Sequence, residues 1–168
     1  MLKNETEIAE GLTQRSFTHS ALFDRTFDEG MALVEETARY LDGIGRREAR
    51  ELPRKAAMLY AGESMRVTTR LMQTASWLLV QRAVRDGEME PDTASSERYR
   101  LGSKEICLAQ SSEGIELLPL VLRDLLKRSE SLYRRIARLD EILFTEGRGP
   151  ISGVRAQLSR LEQMFGGE

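Results

Sequence analysis

The sequence has few of the side chains that build catalytic and metal sites. It contains one cysteine, Cys107, and one histidine, His19, among 168 residues. One residue of each kind excludes an internal disulfide and a zinc site of clustered cysteine and histidine. Helical bundles that bind two iron ions use Glu-x-x-His pairs, whereas Ser16 lies three positions before His19. We therefore expect no enzymatic activity and no metal or other cofactor.

Long apolar runs and prolines are also scarce. No stretch approaches the roughly 20 apolar residues that cross a bilayer. The acidic, polar start of the chain does not resemble a secretory signal, and a single cysteine is typical of a reducing compartment. These absences predict a soluble, cytoplasmic protein with no membrane span. None of the 4 prolines lies between Arg54 and Pro91, which leaves room for a long helix.

The chain has no large excess of either charge. Its net charge of -2 gives no overall field that would draw it onto nucleic acid. Charge is nevertheless segregated, since residues 1–45 and 86–116 are acidic and residues 46–85 and 117–168 are basic. Attraction between neighbouring helices of opposite sign is the favoured interpretation, and a basic patch for an acidic partner is the alternative.

Basic side chains crowd two regions of the chain. They are Arg46, Arg47, Arg50, Arg54 and Lys55 in the first, and Arg123, Lys127, Arg128, Arg134, Arg135 and Arg138 in the second. Acidic residues interleave with them, which disfavours phosphate binding, so we expect no nucleic-acid partner. A helical nucleic-acid-binding regulator and a purely structural dimer remain as alternative functions.

The first predicted helix starts at about Thr26, or a turn or more earlier, and ends at Asp42. Thr26 and Glu29 have the spacing of a capping box, and Gly43 and Gly45 follow the last apolar residue. One apolar stripe runs along it through Phe23, Phe27, Met31, Val34, Ala38 and Leu41.

The second predicted helix is longer, from Pro53 to Asp86, and has two apolar stripes. One contains Met58, Ala61, Met65, Thr68, Met72, Ala75 and Leu79, and the other contains Tyr60, Ser64, Val67, Leu71, Thr74 and Leu78. Two stripes make the apolar surface wide, so the helix must contact more than one neighbour. The spare surface is either covered by the following connection or shared with a second copy, which predicts a homodimer.

A long polar connection, Glu88 to Ser112, is expected to be part loop and part short helix lying against the bundle. The third helix starts between Ser112 and Pro119 and ends near Phe144. Its stripe is Leu118, Leu122, Leu125, Ser129, Leu132, Ile136, Leu139 and Leu143. The Gly147–Pro150 run then breaks the chain.

These elements predict an all-α, antiparallel three-helix bundle. The division is a flexible segment at 1–20, the bundle at 21–146 and a C-terminal tail at 147–168. The tail is flexible or weakly helical, because its stripe is too short to form a stable free helix. We expect it either to dock onto a partner or to add a fourth helix to the core.

Several stretches resemble the alphaproteobacterial RcdA family, the regulators of CtrA degradation. They are Arg25–Gly43, Tyr60–Val84, Gly87–Met89 and Tyr99–Gly102, within a similarity that spans about 25–145. The resemblance implies a cytoplasmic helical bundle that dimerises and acts as an adaptor. Such an adaptor presents CtrA-like cargo to the ATP-dependent ClpXP protease complex, together with response-regulator-type and other adaptor proteins.

An adaptor needs exposed anchors for its partners, and two groups of residues are candidates. On helix two they are Arg66, Thr69, Arg70, Gln73 and Trp77, because Arg and Trp are frequent interface anchors. In the tail they are Leu158, Leu161 and Phe165. The competing interpretation of the first group is that Trp77 belongs to the core and the arginines are solvated.

Overall fold

The structure is a computed structural model that describes residues 14–145. Those residues are mostly helical and contain no strand, in agreement with the all-α prediction. The helices are α1 (14–18), α2 (Ala21–Asp42), α3 (Ile44–Glu51), α4 (Arg54–Arg85), α5 (Pro91–Ala94), α6 (Lys104–Cys107) and α7 (Leu120–Thr145), with 3-10 turns at Glu97–Tyr99 and Ile115–Leu117. The predictions for residues 1–13 and for the tail, with Leu158, Leu161 and Phe165, lie outside the described residues.

Helix α2 is capped by Ser20. The Ser20 hydroxyl accepts a hydrogen bond from the Phe23 amide at 3.2 Å, as an N-cap serine does. Thr26 lies inside the helix, where it is buried and its hydroxyl donates a hydrogen bond to the Leu22 carbonyl at 2.8 Å. The predicted capping box at Thr26 and Glu29 is therefore wrong, and the earlier start that the stripe allowed is correct.

Helix α3 was not predicted. Gly43 ends α2 as expected, but the chain re-enters a helix at once at Ile44. Gly45 is buried inside α3, where an added Cβ would lie 2.6 Å from the Tyr60 hydroxyl. Because Gly45 has no side chain, α3 can pack closely on Tyr60. This glycine therefore does not end a helix. Arg46 and its basic neighbours therefore lie on α3, ahead of the long helix.

The three long helices α2, α4 and α7 pack against one another. Three ion pairs establish the direction of α2 relative to the other two: Asp24–Arg85, Glu36–Arg128 and Glu29–Arg135. Asp24, near the start of α2, pairs with Arg85 at the end of α4. Glu29 pairs with Arg135 of α7, whereas Glu36, further along α2, pairs with Arg128, which comes earlier in α7. Helix α2 is therefore antiparallel to both partners, as predicted.

Helices α4 and α7 run in the same direction. Arg70 donates to the Leu126 carbonyl, and Trp77 donates to Asp140, so residue numbers rise together along the contact. The prediction of a wholly antiparallel bundle is wrong for this pair. The reason is the connecting segment, residues 86–119, which returns along α4 before α7 begins.

The connecting segment has the mixed structure that the sequence predicted, with short helices joined by irregular backbone. It packs on α4, and its course is opposite to that helix. Gly102 contacts Gln73, and further along the segment Ser112 contacts Glu63. The segment therefore brings the chain back to the end of the bundle where α4 starts.

The core is formed by one side of α2, one of the two stripes of α4 and two adjacent rows of α7, of which the sequence predicted one. On α2 the buried side is offset from the predicted stripe, of which only Phe23 is fully buried. Leu122, Leu125, Leu132 and Ile136 have no exposed surface on α7. On α4 the buried stripe is the one that contains Val67, Leu71, Thr74 and Leu78, whereas the methionine stripe faces outward. No helix within 14–145 is long and apolar enough to cross a bilayer.

Gly30 allows α2 to approach α4 closely, and its replacement should be costly. A Cβ at this position would lie 2.6 Å from Leu78 Cδ1, and Leu78 is fully buried, so a larger side chain here must displace packed core atoms. We expect Gly30→Leu to lower the free energy of unfolding by about 1–3 kcal/mol through overpacking. Chemical denaturation followed by circular dichroism measures this change.

Gly62 provides the matched control, because it also lies inside a helix but an added Cβ would meet nothing within 4 Å. Gly62→Ala should raise the free energy of unfolding by about 0.5–1 kcal/mol through helix propensity alone. Equal responses at the two glycines would contradict the packing that the structure assigns to Gly30.

Candidate protein-binding site

Four large apolar side chains are exposed along the outer side of α4. Met58, Met65, Met72 and Leu79 are 69%, 72%, 65% and 52% exposed. Together with Ala61, Thr68 and Ala75 they form the stripe that the sequence predicted, which we call the methionine face. The face lies on the opposite side of α4 from its buried stripe. Neither the connecting segment nor another described helix covers these side chains.

The methionine face is uncharged along most of α4. Between Ala56 and Gln81 the charged residues are Glu63, Arg66 and Arg70, and all three turn toward the connecting segment. Contiguous apolar surface of this kind marks interaction sites on proteins. The flexible, polarisable thioether of methionine also lets such a surface adapt to a partner.

A second side of α4 binds the backbone of the connecting segment. Arg66 donates to the Gln110 carbonyl at 2.9 Å, and Arg70 Nε donates to the Cys107 carbonyl at 2.8 Å. The Gln73 side-chain oxygen accepts from the Gly102 amide at 3.1 Å. These contacts use main-chain atoms of the segment, so they fix its path along the helix.

Asp140 of α7 is a buried carboxylate that connects α4, α7 and the connecting segment. Its Oδ1 accepts a hydrogen bond from Trp77 Nε1 at 2.9 Å, and Arg100 donates to both carboxylate oxygens at 2.9–3.0 Å. The Leu101 amide donates to the same group at 3.4 Å. Asp140 is only 1% exposed, so one buried charge links α4, α7 and the connecting segment.

From the sequence, the adjacent acidic residues Asp140 and Glu141 are most simply interpreted as solvated, and that interpretation is wrong for Asp140. A signal was present, because Asp140 lies four residues after the buried Ile136 and three before the buried Leu143. A carboxylate on a buried stripe indicates a buried partner. Arg100 carried no comparable signal in the sequence.

The structure places four of the five candidate anchors of helix two along the connecting segment or in the interior. Trp77 is core, at 1% exposed, and Arg70 is buried at 2%, so the alternative of solvated arginines is wrong for Arg70. Arg66 and Gln73 contact the segment, and the Thr69 hydroxyl donates to the Met65 carbonyl of its own helix. Their role in binding a partner stays a prediction.

Cys107 is fully buried, as its position between the apolar residues Ile106 and Leu108 in the sequence suggests. Burial raises the pKa of its thiol, which disfavours the thiolate that a nucleophile needs. His19 is exposed, with Nδ1 2.8 Å from the Arg15 carbonyl oxygen. In the part of the chain that the structure describes, no three His, Cys, Asp or Glu side chains are grouped so that they could hold a metal ion.

Comparisons with known proteins give two matches of broad extent. Residues 14–165 match the family described as protein of unknown function, DUF1465. Among solved structures, the crystal structure of RcdA from Caulobacter crescentus CB15 is 54% identical in sequence, with a TM-score of 0.66. That match covers 79% of this chain and 98% of the solved chain. A comparison with curated proteins gave no match.

Proposed function

The chain belongs to the RcdA family, and from that membership we propose that it is a non-catalytic adaptor. It binds cell-cycle regulatory proteins and helps to deliver them to the ClpXP protease for regulated degradation. The observation that carries the proposal is an exposed, uncharged methionine face on a chain 54% identical to RcdA. An adaptor works through such protein-binding surfaces and needs no catalytic groups.

The methionine face binds a second copy of the chain in this proposal. In a two-fold dimer each surface patch meets itself, so charges of one sign would repel at the centre. The uncharged face avoids that repulsion, and α4 is long enough, at 32 residues, to offer a continuous seam. The dimer then presents two copies of every other surface to cargo and to further adaptor proteins in the cytoplasm.

The nucleic-acid alternative is less well supported, because basic side chains of α7 are engaged within the bundle. Arg128 donates to both carboxylate oxygens of Glu36 at 2.7 and 2.8 Å, and Arg135 pairs with Glu29. The paired arginine lowers the pKa of the Glu36 carboxyl. These contacts connect α7 to α2 and reduce the free positive charge that phosphates would need.

A pull-down beside a DNA gel shift separates the two functions. With the tagged protein immobilised at physiological salt, we expect retention of ClpX and of response-regulator-type proteins from a cell lysate. We expect no specific DNA complex under the same conditions. An unrelated tagged helical protein serves as the control for non-specific capture. Specific nanomolar DNA binding without protease or regulator capture would contradict the adaptor proposal.

A further inference from the structure

A groove lined mostly by charged residues lies between α4 and α7, away from the methionine face. It encloses about 390 Å³, and residues 111–115 of the connecting segment close one side. Arg66 and Arg70 of α4 line it from one wall, and Arg123 and Lys127 of α7 line it from the other. Ile115 and Leu120 add apolar surface, and Leu120 is 76% exposed.

The carboxylates of the groove are already engaged by other groups. Glu63 accepts a hydrogen bond from the Ser112 hydroxyl, Asp124 pairs with Arg128 at 3.1 Å, and Glu130 pairs with Arg134 at 2.8 Å. Each of them therefore has a donor of its own.

Arg123 and Lys127, two of the groove cations, are not paired in this way within the described part of the chain. Within residues 14–145, no carboxylate lies within 4.0 Å of Arg123 or Lys127. The two residues are four apart on α7, so they lie on one side of the helix with Cβ atoms about 6 Å apart.

Arg70 adds a fixed charge beneath them. Its guanidinium is held by the Cys107 and Leu126 carbonyls, and its contact with Glu130, at 3.6 Å, is longer than a hydrogen bond. Glu130 is shared with Arg134, so it offsets the Arg70 charge only in part. A buried cation in surroundings of low dielectric strengthens the attraction for an anionic group nearby.

We propose that this groove docks an acidic peptide segment of a partner protein. Carboxylates of the segment bind Arg123 and Lys127, and an apolar side chain beside them packs on Leu120. The groove carboxylates, Glu63, Asp124 and Glu130, disfavour a polyphosphate chain, which would bring a negative charge to every position along them. This site rests on the proposed function of protein binding and gives that function a partner chemistry.

Fluorescence anisotropy with the purified full chain tests the site. The probe is a fluorescein-labelled peptide of sequence GSELELESG, and the uncharged peptide GSQLQLQSG is its control. We expect saturable binding of the acidic peptide in the micromolar range and at least about tenfold weaker binding of the uncharged one. The double variant Arg123→Glu, Lys127→Glu should bind the acidic peptide at least about tenfold more weakly than the wild type does.

Arg47→Glu with Arg50→Glu is the matched control, because it makes the same change in net charge on the exposed side of α3. This variant should bind as the wild type does. Equal loss in both variants, or equal binding of both peptides, would overturn the site. A labelled DNA duplex that binds more tightly than the acidic peptide would overturn it as well.

The assay contains no protease and no cargo, so its outcome is separate from that of the adaptor proposal. Loss of peptide binding with intact delivery to ClpXP would remove this site alone. Intact peptide binding without delivery would contradict the proposed function and leave the site in place.

Discussion

Replacing Asp140 with leucine should lower the free energy of unfolding by about 3–5 kcal/mol. The substitution removes the one acceptor that Trp77 Nε1, the Arg100 guanidinium and the Leu101 amide share. Trp77 Nε1 and the Leu101 amide would then lie in the interior without this acceptor, and the partly exposed Arg100 guanidinium would lose its carboxylate, which is the costly way to break a buried ion pair.

Urea denaturation monitored by circular dichroism measures this loss, and Glu141→Leu is the matched control. Glu141 is the next residue on α7, but its side chain is 62% exposed and its contact with Lys104 is 3.4 Å long. A surface pair of this kind contributes about 0–1 kcal/mol. An Asp140→Leu protein as stable as the Glu141→Leu protein would contradict the role of Asp140 in joining the helices.

The second prediction concerns the methionine face. The double variant Met65→Glu, Met72→Glu should convert a dimer to a monomer and raise the dissociation constant of the dimer at least about 100-fold. Two-fold symmetry sets the new carboxylates of one copy against those of the other, and like charges brought together at an interface cost several kcal/mol. Both methionines are exposed, so the fold of each chain should keep its helical content.

Sedimentation velocity at micromolar concentration measures the change. The wild type should sediment at twice the 19.1 kDa of one chain, and the double variant as a single chain. Leu22→Glu with Ile106→Glu is the control, because it adds two acids at exposed apolar positions off the face. A wild type that sediments only as a single chain would show that the methionine face has another occupant.

Helical periodicity predicted one of the two buried rows of α7, because the four-three spacing places one side of a helix against the core. It missed the adjacent row, which is Leu126, Tyr133, Ala137 and Asp140. It could not choose between the two stripes of α4. Met65 and Val67 belong to stripes of equal regularity, yet one is exposed and the other is buried. Which stripe is covered depends on where α2 and α7 lie, and that is a property of the whole fold.

The relative direction of α4 and α7 was beyond the sequence pattern for a similar reason. A connection of this length can either turn back at once or run the length of the helix. The actual path depends on contacts made far along the chain, such as the Gln73 bond to Gly102 and the Arg66 bond to Gln110. Spacing along one helix does not contain that information.

The candidate site was predicted in part. The spare apolar surface of α4 was visible in the sequence, and the structure leaves it uncovered. Arg70 and Trp77 were chosen by residue type, which is typical of interface anchors. The same residue types also satisfy buried acceptors, and here Trp77 bonds Asp140 and Arg70 bonds main-chain carbonyls.

The most direct test of the adaptor function is a reconstituted degradation assay. Purified ClpXP and CtrA-like cargo are mixed, with a response-regulator-type partner, and the rate of cargo loss is followed with and without this protein. We expect a several-fold, saturable rise in the rate with the wild type, and a smaller rise with the Met65→Glu, Met72→Glu variant. An unchanged rate at saturating protein, while ClpXP degrades an independent substrate normally, would contradict the adaptor function.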